Sequence, residues 1–181
     1  MNAYKEALTN KLMTATIRLA KPSDAPVMAD IHASSWSAAY QDIMPSEYIK
    51  EKNATRSDLW KKIVTDENTT HHIIEINSVA VGLITFAQPN DDDVDDGFYE
   101  ILGIYLCPDF FRKGIGTQAV SFAVDEAKKL GKKFMVLWVL EENENSVNFY
   151  KKCGFEPDGK TKISDFGKSM KIIRMCKDIG Q

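Results

Sequence analysis

Residues 98–140 read FYEILGIYLCPDFFRKGIGTQAVSFAVDEAKKLGKKFMVLWVL, and the changes of pattern within them set the architecture. Phe98 to Cys107 is rich in β-branched and aromatic residues and is closed off by Pro108, which predicts a strand. From Gly114 to Leu130, Ile115, Ala119, Ala123, Ala127 and Leu130 fall in helical register, and Gly131 among lysines suits a helix C-terminus. Phe134 to Leu140 is nearly continuous in apolar residues, as in a strand covered on both faces. Two parallel strands joined by a helix make a right-handed crossover, and the turn leaving the first strand points its amides to the open end of the sheet. Gly114 and Gly116 let the backbone approach a ligand there, the helix N-terminus favours an anion, and Arg112 and Lys113 add positive charge. On its own the loop is equally a basic turn whose glycines serve only its geometry.

The flanking sequence supplies the remaining elements. Residues 16–20 alternate like a strand, and residues 22–26 start a helix for which Ser23 or Asp24 could cap. That helix carries Val27, Ile31, Ser34, Ser35 and Ala38; a second is expected over about residues 45–64, with Tyr48, Ile49, Leu59, Trp60 and Ile63 inward. Residues 71–75 and 79–88 read as strands joined by a hairpin at Asn77-Ser78. Residues 143–153 are helical up to Gly154, and strands are expected near 155–163 and 169–175. Residues 1–14 read as a frayed polar leader or a short helix packed on the outside, leaving residues 15–181 as one domain.

Composition limits the functional classes. The 181 residues are 44% hydrophobic and 27% charged, as in a globular protein, and the net charge of −3 disfavours a nucleic-acid binder reliant on positive charge. Cys107, Cys153 and Cys176 are too few and scattered for a disulfide scaffold or a Cys-x-x-Cys metal site, which suggests reduced thiols in the cytoplasm. His71 and His72 are adjacent and would face opposite sides of a strand, a poor metal pair, so no metal is expected. No secretory pattern opens the chain and no membrane-length apolar run is present, so no membrane partner is expected.

Taken with its neighbours, the central unit resembles the GNAT superfamily of acetyl-CoA-dependent N-acetyltransferases. Glu100-Ile-Leu-Gly-Ile-Tyr-Leu106 before Pro108 is similar to the family's central strand, and Gly114-Ile-Gly116 to its pyrophosphate loop. Asn143-Glu-Asn-Ser-Val-Asn-Phe-Tyr-Lys-Lys-Cys-Gly-Phe155 is similar to the following helix with its Gly-Phe exit. Ile17-Arg18, Asp24, Ile31, Trp36, Tyr40 and Pro45 match the opening of small-molecule members. Phe111 departs from the pattern, which usually has Gln or Arg three residues before the first glycine. The resemblance implies an α/β fold with a mixed sheet of about six to seven mostly antiparallel strands, a central splayed parallel pair and about four flanking helices. It also implies acetyl-CoA as cosubstrate, a small-molecule amine acceptor and a homodimer.

Roles follow from the same resemblance. Glu100 is placed as the base that removes the ammonium proton, the physical need being that an amine of pKa ~10 is mostly charged at pH 7. Tyr150 is placed as the acid for the CoA thiolate; as a sequence feature alone it is a helical packing residue. Ile104, Tyr105 and Leu106 supply backbone to pantetheine and thioester, Arg112, Lys113, Gly114, Ile115, Gly116 and Thr117 hold the phosphates, and Asn143 binds the pantetheine arm or acts as an N-cap. Cys107 reads as a small strand residue without a basic partner. Trp36, Tyr40 and Met44 lie in the acceptor region, where core packing would explain them as well. Asp91, Asp92, Asp93, Asp95 and Asp96 precede the Glu100 strand, and residues 138–155 look like those of PaiA-type spermidine/spermine acetyltransferases, so a polyamine acceptor is one expectation. The alternatives are a silent acyl-CoA-sensing module and a dinucleotide-dependent oxidoreductase, because Gly114-Ile-Gly-Thr-Gln-Ala119 formally fits Gly-x-Gly-x-x-Gly/Ala.

Overall fold

The computed structural model describes residues 13–180; most of the leader, residues 1–12, lies outside the described residues. Its elements are β1 (Thr16–Leu19), α1 (Ala25–Tyr40), α2 (Ser46–Ala54), α3 (Arg56–Ile63), β2 (Thr69–Ile76), β3 (Val79–Ala87), β4 (Phe98–Leu106), α4 (Ile115–Lys129), β5 (Phe134–Leu140), α5 (Glu144–Lys152), β6 (Glu156–Asp165) and β7 (Ser169–Asp178). The strands form one sheet in the order β1-β2-β3-β4-β5-β7-β6. Neighbours are antiparallel except β4 and β5, which are parallel as the crossover requires. A mixed sheet with one parallel pair is not doubly wound, so the fold removes the dinucleotide reading of the Gly114 loop.

Alternation sorts the strand residues onto two layers. Ile74, Ile84, Phe86, Ile101, Met135 and Leu137 pack with Ile115, Ala119 and Ala123 of α4 in the larger cluster. On the opposite face Ile73 and Leu83 meet Met28 and Ile31 of α1 and Trp60 of α3. The two histidines divide as their adjacency demands: the His71 ring lies 5.2 Å from Trp60, the His72 ring 4.9 Å from Phe122. Among the described residues no three His, Cys, Asp or Glu are grouped to hold a metal ion, and no helix is long and apolar enough to cross a membrane.

Local chemistry accounts for the departures from expectation. The helix expected over residues 45–64 is two helices, because Thr55 Oγ1 bonds back to the Lys52 carbonyl at 2.9 Å and Asn53 Nδ2 bonds Ser37 Oγ of α1 at 2.9 Å. This raises the helix count to five, and Leu59, expected inward, is 37% exposed. Asp24 does not cap α1; its carboxylate takes Arg18 in a bidentate pair at 2.8 and 3.0 Å. Met13, assigned to the leader, packs on the larger cluster, and its carbonyl accepts from Gln118 Nε2 at 2.8 Å.

Candidate active site

The site grows from a failure of pairing. Strands β4 and β5 match at Phe98–Phe134, Tyr99–Met135 and Glu100–Val136, and the ladder ends there although both strands continue. One cause lies on the other side of β4, where the register with β3 steps between Thr85–Gly103 and Phe86–Ile101. Leu102 is the extra residue of this bulge and is 45% exposed. Beyond it the backbone of Ile104, Tyr105 and Leu106 runs beside a gap instead of a strand. At its end Leu106 N–H donates to Ser35 Oγ of α1 at 3.3 Å.

Glu100 sits at the last paired position, where the strands part. Its carboxyl is pushed up to about 7, first by burial and then by the charge of Asp91, against the opposing pull of Lys162 and Arg174. A carboxylate so tuned exchanges a proton near neutral pH, which an exposed glutamate does not.

The Asp91–Asp96 segment is not the open anionic field that its sequence suggests. Arg174, 4% exposed, bonds Asp158 through Nε at 2.6 Å, Asp91 through Nη1 at 3.2 Å and Asp93 through Nη2 at 2.7 Å. Lys160 pairs with Asp93 at 3.1 Å, Lys162 pairs with Asp91, and Trp138 Nε1 donates to Asp91 at 3.0 Å. Asp91, Asp93 and Asp158 therefore meet Arg174, Lys160 and Lys162 charge for charge. Asp92, Asp95 and Asp96 are exposed. A cleft of about 370 Å³ opens beside this cluster, with Trp138 among its walls.

Tyr150 is buried on α5 in the cluster that also holds Leu106 of β4, its ring neighbours being Phe149 at 5.0 Å and Phe155 at 5.8 Å. Burial, then the nearby Tyr40 and Tyr105 phenols, hold its hydroxyl well above the usual tyrosine range, so it keeps its proton at neutral pH. The charged neighbours that act on Glu100 are not those that act on Tyr150. Glu100 and Tyr150 thus lie in separate electrostatic surroundings.

Gly114 opens α4 in the left-handed conformation, φ 78°, where a side chain would be strained, and no side chain caps the helix. The first-turn amides at Ile115, Gly116 and Thr117 therefore face outward with the positive end of the helix dipole. Arg112 and Lys113 flank them, exposed, and Gly116 packs against Phe149. Asn143 caps α5, its Oδ1 accepting from Ser146 N at 3.1 Å, while its buried Nδ2 makes no close hydrogen bond and has the Tyr40 hydroxyl as its nearby partner. A buried amide donor so loosely met gains a full partner where a ligand carbonyl reaches it. An anion cradle, a strand edge open on its β5 side and an amide donor without a close bond fit a phosphate-tailed, amide-bearing arm such as CoA.

Trp36 and Tyr40 stand on α1 with their rings 5.4 Å apart, and Tyr48 of α2 lies 6.1 Å from Trp36. Met44 is buried in a small cluster with Leu140 and Met170 instead of lining the wall. The Tyr105 ring folds back over Gly103, where a Cβ would come within 2.8 Å of it, and stacks on His32 at 3.8 Å. His32 accepts from Trp60 Nε1 at 3.2 Å, and burial pushes its imidazole down to about 3, so it is neutral.

Arg56, the first residue of α3, completes this wall. It is 9% exposed, with its guanidinium 4.4 Å from the Trp36 ring centre. Its Nε and Nη2 are buried without hydrogen-bond partners, and no carboxylate among the described residues pairs with it. Stacking on Trp36 contributes about 0.5–2 kcal/mol, whereas each orphaned buried donor opposes folding by about 1–3 kcal/mol. Sequence reading passed over Arg56, yet it stands four residues before Trp60 and seven before Ile63, on the apolar stripe of its helix. Ser35, Trp138 and Arg174 were likewise missed as site residues; no local pattern announces them.

The sequence profile of the Acetyltransferase (GNAT) family matches residues 28–155. The chain belongs to the GNAT acetyltransferase family. An uncharacterised N-acetyltransferase of Methanocaldococcus jannaschii is 29% identical over 81% of this chain and 63% of its own length. The spermidine N(1)-acetyltransferase of Escherichia coli is 26% identical over 66% of this chain and 64% of its own. The chain thus spans under two thirds of both. The L-amino acid N-acyltransferase MnaT of Escherichia coli is 28% identical over 77% of this chain and 78% of its own. In fold, the PaiA N-acetyltransferase of Thermoplasma acidophilum, solved with coenzyme A, superposes with a TM-score of 0.71 at 23% identity, covering 92% of this chain and 99% of that one. This GNAT chain has the mixed, splayed sheet of that fold.

Proposed function

We propose that this chain transfers an acetyl group from acetyl-CoA directly to the primary amine of a small molecule, with residues 15–181 acting as one domain. The observation that carries the reading is Glu100, tuned to about 7 where β4 and β5 part. Acetyl-CoA supplies an activated thioester; the Gly114–Thr117 amides with Arg112 and Lys113 would hold its phosphates, and Asn143 Nδ2 and the Ile104–Leu106 backbone its arm. Glu100 takes one proton from the acceptor ammonium, freeing the nitrogen lone pair for attack. The C–N bond forms as the C–S bond breaks, and backbone N–H groups along the gap oppose the charge gathering on the carbonyl oxygen. Tyr150 gives its proton to the departing sulfur. Burial raises the thiol's proton affinity along with the phenol's, which keeps this transfer feasible. Products are the N-acetyl amine and CoA thiol; the second proton, which the nitrogen loses as the amide forms, restores the Tyr150 phenol by way of solvent, and the proton on Glu100 returns to solvent.

Relatives named for spermidine and for L-amino acids support an amine acceptor without agreeing on its charge. Pairing of Asp91 and Asp93 within the fold weakens one of the two grounds for a polyamine acceptor; the other, the likeness of residues 138–155 to PaiA-type acetyltransferases, is supported by the relatives named for spermidine and for PaiA. Three cysteines free of disulfides suit a reducing cytoplasm. A thiol-release screen over polyamines, amino acids, aminoglycosides and peptides tests the function. Turnover with at least one amine, slowed about 10²-fold or more in Tyr150→Phe while CoA affinity is kept, is the expected result. Release with no amine overturns the enzyme reading in favour of a silent acyl-CoA-binding module.

A further inference from the structure

We infer that the acceptor amine carries a carboxylate and that Arg56 is the residue that selects it. The inference rests on the acetyltransferase reading and names the substrate class of the same site, an amino acid or a close analogue. A guanidinium stacked on Trp36 satisfies the face of its plane and leaves the in-plane N–H groups unused. The orphaned pair, Nε and Nη2, shares one edge of that plane and presents the parallel N–H vectors that the two oxygens of a carboxylate bridge. Its surroundings supply no competing acceptor of charge. The neighbours that act on it are the Tyr48 and Tyr105 phenols, and burial pulls the guanidinium below its usual range. Neutral His32 adds no counter-charge.

Position gives this cation a bearing on the reaction. Trp36 and Tyr48 are half-buried, so the wall in which Arg56 stands is open to the acceptor, and the carboxylate enters as these rings shift aside. Tyr105, on the strand that carries Glu100, folds over Gly103 towards it. An acceptor anchored at Arg56 thus lies along the face of β4 that ends at Glu100, with its ammonium left for the base. A polycation would meet an unpaired positive charge at the same wall, a repulsion that acts against it.

The test compares L-amino acids with their carboxamides in a thiol-release assay on the wild type, Arg56→Gln and Arg56→Lys, with spermidine as a further arm. Expected are a preference of the wild type for acid over amide of about 10-fold or more in kcat/KM, expressed mainly in KM, and its loss in Arg56→Gln. Arg56→Lys keeps the charge but not the fork and should retain only part of the preference. CoA affinity should be equal in all three. Equal or better turnover of amides or spermidine overturns the inference and leaves the acetyltransferase reading standing; so does an acid preference that survives in Arg56→Gln. If no amine releases thiol, that reading fails, and calorimetry then decides the Arg56 site: amino acid binding lost in Arg56→Gln supports it, and no binding to the wild type overturns it. Should Arg56→Gln fail to fold, the acid-to-amide ratios of the wild type and of Arg56→Lys still separate these outcomes.

Discussion

Two arginines are buried in this protein, and their surroundings are opposite. Arg174 on β7 has Asp91, Asp93 and Asp158 around its guanidinium, so the cation is matched within the fold. Arg56 on α3 has a tryptophan face and no carboxylate among the described residues. Taking a charge out of water is unfavourable by several kcal/mol unless partners compensate. Where compensation is complete, the residue's work is structural: Arg174 ties the β3–β4 loop to β6 and β7 and shapes the field around Glu100. Where it is missing, the deficit points to something outside the chain. Asn143 stands between the two, with Oδ1 capping α5 and Nδ2 lacking a close bond beside the Tyr40 hydroxyl.

Mutation can break this contrast or sharpen it. The largest effect belongs to Arg174→Gln, which leaves several carboxylates unpaired. It should lower unfolding free energy by about 2–4 kcal/mol, the smaller end of the range for a broken buried pair because Asp93 is 39% exposed; chemical denaturation giving under about 1 kcal/mol would remove Arg174 from its structural role. Asn143→Ala should lose about 0.5–2 kcal/mol with the cap. Asn143→Asp keeps an oxygen for Ser146 N and should hold its melting temperature while weakening CoA binding. Arg56→Gln should leave stability within about 1 kcal/mol of wild type, since lost stacking is offset by lost burial of charge. A large destabilisation there would make the two arginines alike. The smallest effect is electrostatic. Arg174 draws the Glu100 carboxyl down, so in Arg174→Gln that group should titrate at higher pH, by a few tenths of a pH unit to about one.

Stability should carry the same signature with a defined sign. Glu100 binds its proton more tightly folded than unfolded, so its contribution is present below about pH 4.5 and lost as pH rises towards 7. Glu100→Gln should therefore melt higher than wild type at pH 8 and no higher at pH 4.

What the sequence made legible follows the same division. The β4–α4–β5–α5 unit is local: its strand, glycine turn, helix and Asn-capped helix are contiguous, so periodicity and Gly114 announce them, and the structure sets them in the expected order. The aspartate cluster and the α1 side of the gap are built from contacts between distant residues. Arg174 meets Asp91 across 83 positions and Ser35 meets Leu106 across 71, distances over which pattern reading has no reach. That is why the aspartate run looked like an open anionic surface and why nothing in the local pattern singled out Arg56. The break at Thr55 was hidden for a related reason, since Asn53 is held by α1 and not by its own helix.

The proposed chemistry depends above all on Glu100, tuned by burial at the end of the β4–β5 ladder, removing the acceptor's proton. Thiol release measured against pH for the wild type and Glu100→Gln probes that step without intermediaries. Wild-type kcat/KM should rise through a limb near pH 7, with that limb absent and the rate about 10²–10⁴-fold lower in Glu100→Gln. A Glu100→Gln enzyme that keeps both the limb and the wild-type rate would contradict the assignment of Glu100 as the base.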